Sequence, residues 1–505
     1  MVREESYRID CADPKKLLIP IVSIRPLNAS NRIKTMSPNR ATPIARLVGV
    51  STLLVLFFGA GCKTPQVGCD PSFVSQAILC RTAVTLERSQ PCIEQIPAGV
   101  VLEDGLEESE AVETGLANNS MFQAALAQLG MAGGDAVQAS LIANPQVLIY
   151  FPSGAKEGQY TLYAPIESYF LRPTRVKVAN REYRRIGEQL VQSGLNVVRD
   201  IRFAYADLAL ATEQSKLAAE AVELRAGIAE LTRKRFDDGD ISELETITTK
   251  VDALNAKAIS GVQRQSVEIS HARLASLIGI PTVVTPLQPA ALETMSVPVL
   301  DEQQLIDTAL ACRPDYHAAR WTVAAAQERS KLSRWLFWRV DSVVDVRHGT
   351  DYTRTGTGLR FDLPIFNRNQ GGILRADWEL NAALHTRDAI RDQIYQDVRI
   401  AFRQLNQVQA NLNILEAEIL PNLSGAVEIA KKGFADGGTD YLLVLQTTTQ
   451  YLDARSRILD QRAAMHRAVA ELERSVSRSV LAVPLDVSIM LSQTVPADES
   501  KLKVN

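Results

Sequence analysis

Apolar and small residues recur every seven positions along two rows between Pro173 and about Asp237. One row is Leu190, Val197, Ala204, Ala211 and Ala218. The other is Gly194, Ile201, Leu208, Ser215, Val222, Ala229 and Phe236. A heptad seam of this kind predicts a helix packed on others as in a coiled coil. Over some sixty residues at about 1.5 Å each it predicts a rod of roughly 90 Å, far beyond the usual three or four turns. The stretch RFDDGDISE, Arg235 to Glu243, breaks the rod. Asp237, Asp238 and Gly239 predict a tight turn, with Gly239 at positive φ. Ser242 and Glu245 have the spacing of a capping box, which opens a helix returning to about Ile278. Gly279 and Pro281 end it.

Ahead of the rod, helical signal runs from about Glu110 to Asn144, with a Gly-rich interruption at Gly130 to Gly134. Polarity then alternates. PQVLIYF (Pro145 to Phe151) and YTLYAPI, in which Tyr160, Leu162, Ala164 and Ile166 share a face, predict a hairpin joined by PSGAKEG, with about ten residues per strand. The same order recurs downstream. Glu302 to about Ser333 reads as helix, and Arg339–Arg347 and Leu359–Phe366 as strands. In the last of these Leu359, Phe361, Leu363 and Ile365 face one way, and Arg360 and Asp362 the other. A second rod carries the seam Ile394, Val398, Ala401, Leu405, Val408, Leu412, Leu415, Ile419, with a kink expected at Pro421. GFADGGTDY, Gly433 to Tyr441, makes its turn, and a helix returns to about Leu481. Pro165-Ile166 and Pro364-Ile365 lie 199 residues apart, Phe236 and Phe434 198, and Tyr205 and Phe402 197. The chain therefore reads as an internal duplication: residues 107–281 and 301–482 as repeats, 282–300 as a Pro-rich connector, 62–106 as an N-terminal arm and 483–505 as a loose tail.

Composition fits this picture. The chain is 46% hydrophobic but only 6% aromatic, which suits long, closely packed helices. A net charge of -3 gives no footprint for nucleic acid. Residues 1–61 read as leader and signal peptide: Arg40 and Arg46 precede the apolar run Leu47 to Gly61, too short for a membrane span. Met36 is an alternative start that gives a signal of ordinary length. Cys62, after Gly-Ala-Gly, has the setting of a bacterial lipoprotein cleavage site, although Gly59 stands where such sites usually have Leu. The alternative is ordinary cleavage nearby. Export permits disulfides, and Cys69, Cys80 and Cys92 cluster closely enough for a local bridge.

Candidate chemistry changes little. The five histidines are dispersed, and no Cys/His spacing suggests zinc. Asp237, Asp238 and Asp240 lack the length and closing Glu of a calcium loop. GTGL at Gly356 to Leu359 is a lone G-x-G outside any phosphate-loop context. No cofactor and no enzyme activity is expected.

Two hairpins give four strands, too few to enclose a lumen, and open edges cannot face lipid. If the hairpins enter a membrane, several copies must close one barrel together. From about Glu107 to Leu481 the chain resembles the TolC-like outer membrane efflux proteins. The resemblance rests on the duplicated layout, ANP (Ala143 to Pro145), CRP (Cys312 to Pro314), DLPIFNRNQGG (Asp362 to Gly372), EAEILPNL (Glu416 to Leu423) and the two turns. It implies a mainly α fold with a small β part. Duplicated antiparallel helical hairpins and two β-hairpins per chain form a homotrimer with a twelve-stranded outer-membrane barrel, continued by an α-helical periplasmic tunnel.

The resemblance further implies an exit duct of a tripartite exporter that catalyses nothing. Its partners are a periplasmic adaptor protein, an inner-membrane pump of the RND or ABC class and outer-membrane lipid. The adaptor meets the tips, here Arg233, Arg235, Phe236, Gly239, Glu245, Phe434, Gly437 and Gly438. For Arg233, Lys234, Arg235, Lys431 and Lys432, a solvated basic turn at a helix C-terminus is the equal alternative. An acidic pair narrows the tunnel in the best-studied member; the matching positions here are Leu443 and Gln446, or Leu442 and Leu445 with another gap. Closure is accordingly expected to rely on apolar packing and helix contacts. A type I protein-secretion duct and a non-conducting periplasmic coiled-coil protein are the rival readings.

Overall fold

The computed structural model describes residues 72–82, 97, 105–151, 158–281, 287–292, 295, 297–349 and 352–480. The leader, Cys62, Cys69, Cys92 and the tail 483–505 lie outside them. Helices α1 (Ser72–Thr82), α2 (Glu108–Asn118) and α3 (Ser120–Ser140) precede strands β1 (Gln146–Tyr150) and β2 (Gly158–Pro165). Two long helices follow, α4 (Glu167–Asp237) and α5 (Glu243–Leu277). The order then recurs as α6 (Glu302–Cys312), α7 (Pro314–Ser333), β3 (Val340–His348), β4 (Thr353–Phe361) and α8 (Gln370–Ile414). A π-turn (Leu415–Ile419), α9 (Leu420–Ala435) and α10 (Tyr441–Val476) complete it. The chain is mainly helical with one small sheet.

The upper parts of the heptad seams are the cores of the rods; further down, Val222 and Ala229 are only half-buried, and Phe236 and Ile419 are exposed, contrary to the spacing. On α4, Leu190, Gly194, Ile201, Ala204, Leu208 and Ala211 are buried against α2, α3 and α5. On α8, Ile394, Val398, Ala401 and Leu405 are buried with Val469 and Leu472 of α10. Ser242 and Glu245 form the capping box of α5: the Ser242 Oγ accepts from the Glu245 N–H, and the Glu245 carboxylate from the Ser242 N–H, both at 3.3 Å. Tyr205 pins the connector to the first half, since its hydroxyl donates to the Leu106 carbonyl (2.8 Å) and accepts from the Ala290 N–H (2.9 Å). The start of α7 is tied to two rods by Arg313, only 2% exposed. Its Nε and Nη2 donate to Asp315 (3.0 and 2.5 Å), and its Nη1 to Asp397 of α8 (3.0 Å) and to the Ser475 carbonyl of α10 (3.4 Å).

Several expectations are corrected. The arm is not wholly extended: α1 forms within it and buries Val74 and Ile78. Its Phe73 ring lies so close to Gly187 of α4 that a Cβ there would meet the ring carbon Cζ at 2.0 Å. Three apolar residues packed on a groove suffice for α1, and leave too faint a periodicity to read. The break in the first helical stretch falls at Asn119, not at Gly130 to Gly134. Asn119 caps α3 by accepting from the Phe122 N–H at 3.0 Å, whereas Gly130 and Gly134 stand on an open helix surface. Helix α4 starts at Glu167 and carries Pro173 inside its second turn, where Arg175 donates to the Ser168 carbonyl at 3.2 Å. At about 1.5 Å per residue its 71 residues span roughly 105 Å. Helix α10 stops at Val476, short of Leu481, because Ser477 takes a left-handed φ of 58°. Cys80 is a free, exposed thiol on α1.

The sheet has the order β1-β2-β3-β4, all antiparallel. β1 spans five residues, β2 eight, and β3 and β4 nine each, short of the expected ten. The last strand is displaced from its expected position: Phe361 pairs with Val340, so β4 runs from Thr353 and ends where Leu359–Phe366 was expected to continue. Pro364 has no N–H to give a ladder. Leu363, Ile365 and Phe366 instead form an exposed apolar loop into α8.

Candidate functional site

The two inter-rod turns are built alike and lie side by side. At the end of α4, Gly239 donates to the Phe236 carbonyl (2.9 Å) and Asp240 to the Arg235 carbonyl (2.8 Å). At the end of α9, Gly437 donates to the Phe434 carbonyl (3.2 Å) and Gly438 to the Gly433 carbonyl (2.8 Å). Both are Schellman closures, and the left-handed position is a glycine in each, with φ of 83° at Gly239 and 77° at Gly437. The turns differ in what their aromatics do. Phe434 is buried and Phe236 is exposed. Arg235 joins the two: its Nη1 donates to the Phe434 carbonyl at 3.1 Å, and its guanidinium lies 4.9 Å from the Phe434 ring centroid. Beneath them Ala430, Phe434, Tyr441 and Val444 pack against Ile228 and Leu231 of α4.

A second link crosses the tip. The Tyr441 hydroxyl donates to the Asp252 carboxylate of α5 at 2.5 Å. Burial and then this bond push the Tyr441 hydroxyl well above its ordinary pKa, so it stays a donor. Nothing in the sequence pairs two residues 189 positions apart; the bond was missed for that reason. A charged hydrogen bond of this sort is worth about 1.5–3 kcal/mol. Tyr441→Phe is therefore expected to speed amide exchange in the first turns of α5 and α10, measured by hydrogen–deuterium mass spectrometry, with the rods above unchanged.

The other tip residues are peripheral. Arg233 and Lys234 are exposed, within reach of Asp237 (3.8 Å) and Glu230 (3.1 Å). Lys432 is exposed, Lys431 half-buried, and Glu245 serves the α5 cap. Leu442, Leu443 and Gln446 stand open on α10, while Leu445 packs against the tip cluster. Among the described residues no group of three His, Cys, Asp or Glu could hold a metal ion.

At the opposite end the sheet has two unlike faces. Pairing places Val147, Ile149, Tyr160, Leu162, Val344, Val346, Thr357 and Leu359 on one. The other carries Gln159, Thr161, Tyr163, Asp341, Asp345, Arg347, Arg354 and Arg360. There Asp345 accepts from Gln159 (2.8 Å), Thr161 (2.9 Å) and Arg347 (2.8 Å). The outer edges of β1 and β4 pair with nothing among the described residues. No described helix is long and apolar enough to cross a membrane.

Residues 305–477, from α6 to just past α10, match the family model described as outer membrane efflux protein. The chain is 24% identical over 379 residues to the cobalt-zinc-cadmium resistance protein CzcC of Cupriavidus metallidurans, covering 73% of this chain and 89% of that one. It is 26% identical over 335 residues to the nickel-cobalt-cadmium resistance protein NccC of Alcaligenes xylosoxydans xylosoxydans, covering 60% and 72%. The solved outer membrane protein VceC of Vibrio cholerae has the same fold, with a TM-score of 0.62 at 18% identity over 74% of this chain and 96% of that one.

Proposed function

Because the chain belongs to the TolC-like outer membrane efflux proteins, we propose that it is the passive exit duct of a tripartite exporter, and that its cargo is divalent transition-metal cations. The observation that carries the duct is the sheet. Its apolar face suits lipid and its polar face suits a lumen, while its two unpaired edges need partners before lipid tolerates them. Three copies joined edge to edge give twelve strands and remove every edge. The rods then extend into the periplasm as a tunnel, with the outer membrane as anchor and Cys62 as the acylated residue.

In this reading the paired turns are the docking ring for a periplasmic adaptor. Arg233, Arg235, Phe236, Gly239, Glu245, Gly437 and Gly438 form its surface, with the buried Phe434 supporting it from beneath, and Leu443 and Gln446 narrow the tunnel above it. The adaptor connects the duct to an inner-membrane pump, which supplies the energy. The cargo follows from the two curated relatives, which are named for cobalt, zinc, cadmium and nickel resistance. Loss of the chain is expected to sensitise its host to zinc, cobalt and cadmium salts, with unchanged resistance to lipophilic drugs. Purified material is expected to run as a trimer in detergent and to conduct in planar bilayers. A monomer that stays soluble without detergent would overturn the duct, and sensitivity confined to drugs would overturn the cargo.

A further inference from the structure

In the helical layer next to the sheet, α3 packs on α4, α4 on α7 and α7 on α8, so α3 and α8 are its outer members. Opposite its buried side, which holds Leu129, Ala132 and Ala136, helix α3 exposes Ala124, Ala127, Met131, Gly134 and Gln138. Helix α8 turns Asp377 and Leu380 toward α7 and exposes Gly371, Leu374, Trp378, Asn381 and His385 on its other side. Both sets have the alternating three-four spacing of a coiled-coil seam, yet Leu374 is 60% and Trp378 65% exposed. A Cβ at Gly130 or Gly134 would meet nothing within 4 Å. Glycine weakens a helix interior, so the fold of a single chain does not call for either.

The two faces stand at matching heights. Arg172 of α4 donates to the Ser140 carbonyl that ends α3 (2.6 Å), and Asn369, just before α8, donates to the Ser333 carbonyl that ends α7 (2.8 Å). Arg181 donates to the Ala324 carbonyl, which joins points nine residues below Arg172 on α4 and nine below Ser333 on α7. Ser140 and Asn369 are therefore level, and nine residues down from each lie Met131 and Trp378. The same reckoning sets Leu374 against Gly134 and His385 against Ala124, large against small. Helix α3 leads into β1 and β4 leads into α8, and β1 and β4 are the two edges of the sheet. Edge pairing between copies thus brings α8 of one beside α3 of the next. We infer that Leu374 and Trp378 of one copy seat on the Met131–Gly134 face of the next. The Met131 sulfur suits an aromatic neighbour, and one unlike-face seam repeated around a closed ring joins three copies. The inference rests on the trimeric duct proposed above, and adds the faces and the register by which its copies meet.

The experiment is non-reducing electrophoresis of detergent-extracted protein after mild oxidation. A chain carrying both Met131→Cys and Trp378→Cys is expected to give covalent dimers and trimers. Either substitution alone is expected to give the pattern of the unaltered chain, which controls for the native cysteines. Gly134→Leu is expected to cut the trimer fraction by at least about tenfold, because an overfilled seam cannot close. Its circular dichroism stays that of the unaltered chain, and adding Leu374→Ala recovers most of the trimer. Trimers that stay unlinked in the double variant, or that Gly134→Leu leaves intact, overturn the seam. So do cross-links from Trp378→Cys alone, which would mean that like faces meet. An unaltered chain that forms no trimer overturns the duct itself, so the two failures are distinct.

Discussion

Arg313→Ala is expected to destabilise the chain by about 3–5 kcal/mol, the loss typical when one member of a buried ion pair is removed. Arg313 is 2% exposed and serves three acceptors from different segments: Asp315, Asp397 and the Ser475 carbonyl. Alanine leaves two half-buried carboxylates without the cation between them, and only Arg474, 3.8 Å from Asp397, in partial compensation. Arg313→Lys is expected to recover only part of the loss, because an ammonium cannot supply the planar fork that Asp315 receives at two oxygens. Combining Arg313→Leu with Asp315→Asn and Asp397→Asn is expected to be less damaging than Arg313→Ala alone, since it leaves no stranded charge. Urea titration followed by circular dichroism gives the ranking. Equal stability of Arg313→Ala and the unaltered chain would show that the three segments are held by packing alone.

The second large effect concerns neighbouring positions on β3. Val344 shares the apolar face with Leu162 and Thr357, its partners in register; Val343 shares the polar face with Tyr163 and Gly358. In the proposed trimeric barrel, Val344→Arg is expected to destabilise the assembled form by about 2–4 kcal/mol, the cost of a cation on a lipid-facing position near the middle of a barrel. Val343→Arg is expected to be mild, because the glycines at 356 and 358 leave open space on the polar face. Heat-modifiable trimer recovered from the outer-membrane fraction measures both. The reverse ranking would mean that the apolar face is turned away from lipid.

Repeats of seven were legible in the sequence because the rods are longer than any local exception. Ile201, Leu208, Ile394 and Leu405 were assigned to the core from spacing alone and are buried. The turns were equally legible, since RFDDGDISE and GFADGGTDY each interrupt a long helical run with Asp and Gly, and Ser242 with Glu245 marks the capping box after the first. Short and non-local features were not. Helix α1 depends on a groove made by α4, and β4 takes its limits from pairing with β3, so neither is written in its own segment. The apolar alternation of Leu359, Phe361, Leu363 and Ile365 suggested a strand, yet only the first two positions are paired. At the tip, equivalent phenylalanines gave no sign that Phe434 is covered by Arg235 while Phe236 is bare. Such asymmetry comes from the meeting of the two repeats.

The π-turn at Leu415–Ile419 has a geometric consequence for everything below it. Extending the four-three spacing of the α8 seam past Ile419 lands on positions 422, 426, 429 and 433. The side chains that go inward on α9 are Val427, Ala430 and Phe434, each one place later, and Ile429 is 76% bare. One surplus residue in a helical winding turns the downstream segment by about 100° around its own axis. The bulge therefore acts as a phase correction between the upper and lower parts of one rod. It brings Phe434 round to meet Arg235. Excising a single residue from that winding would spin the lower shaft back and leave the phenylalanine pointing into water.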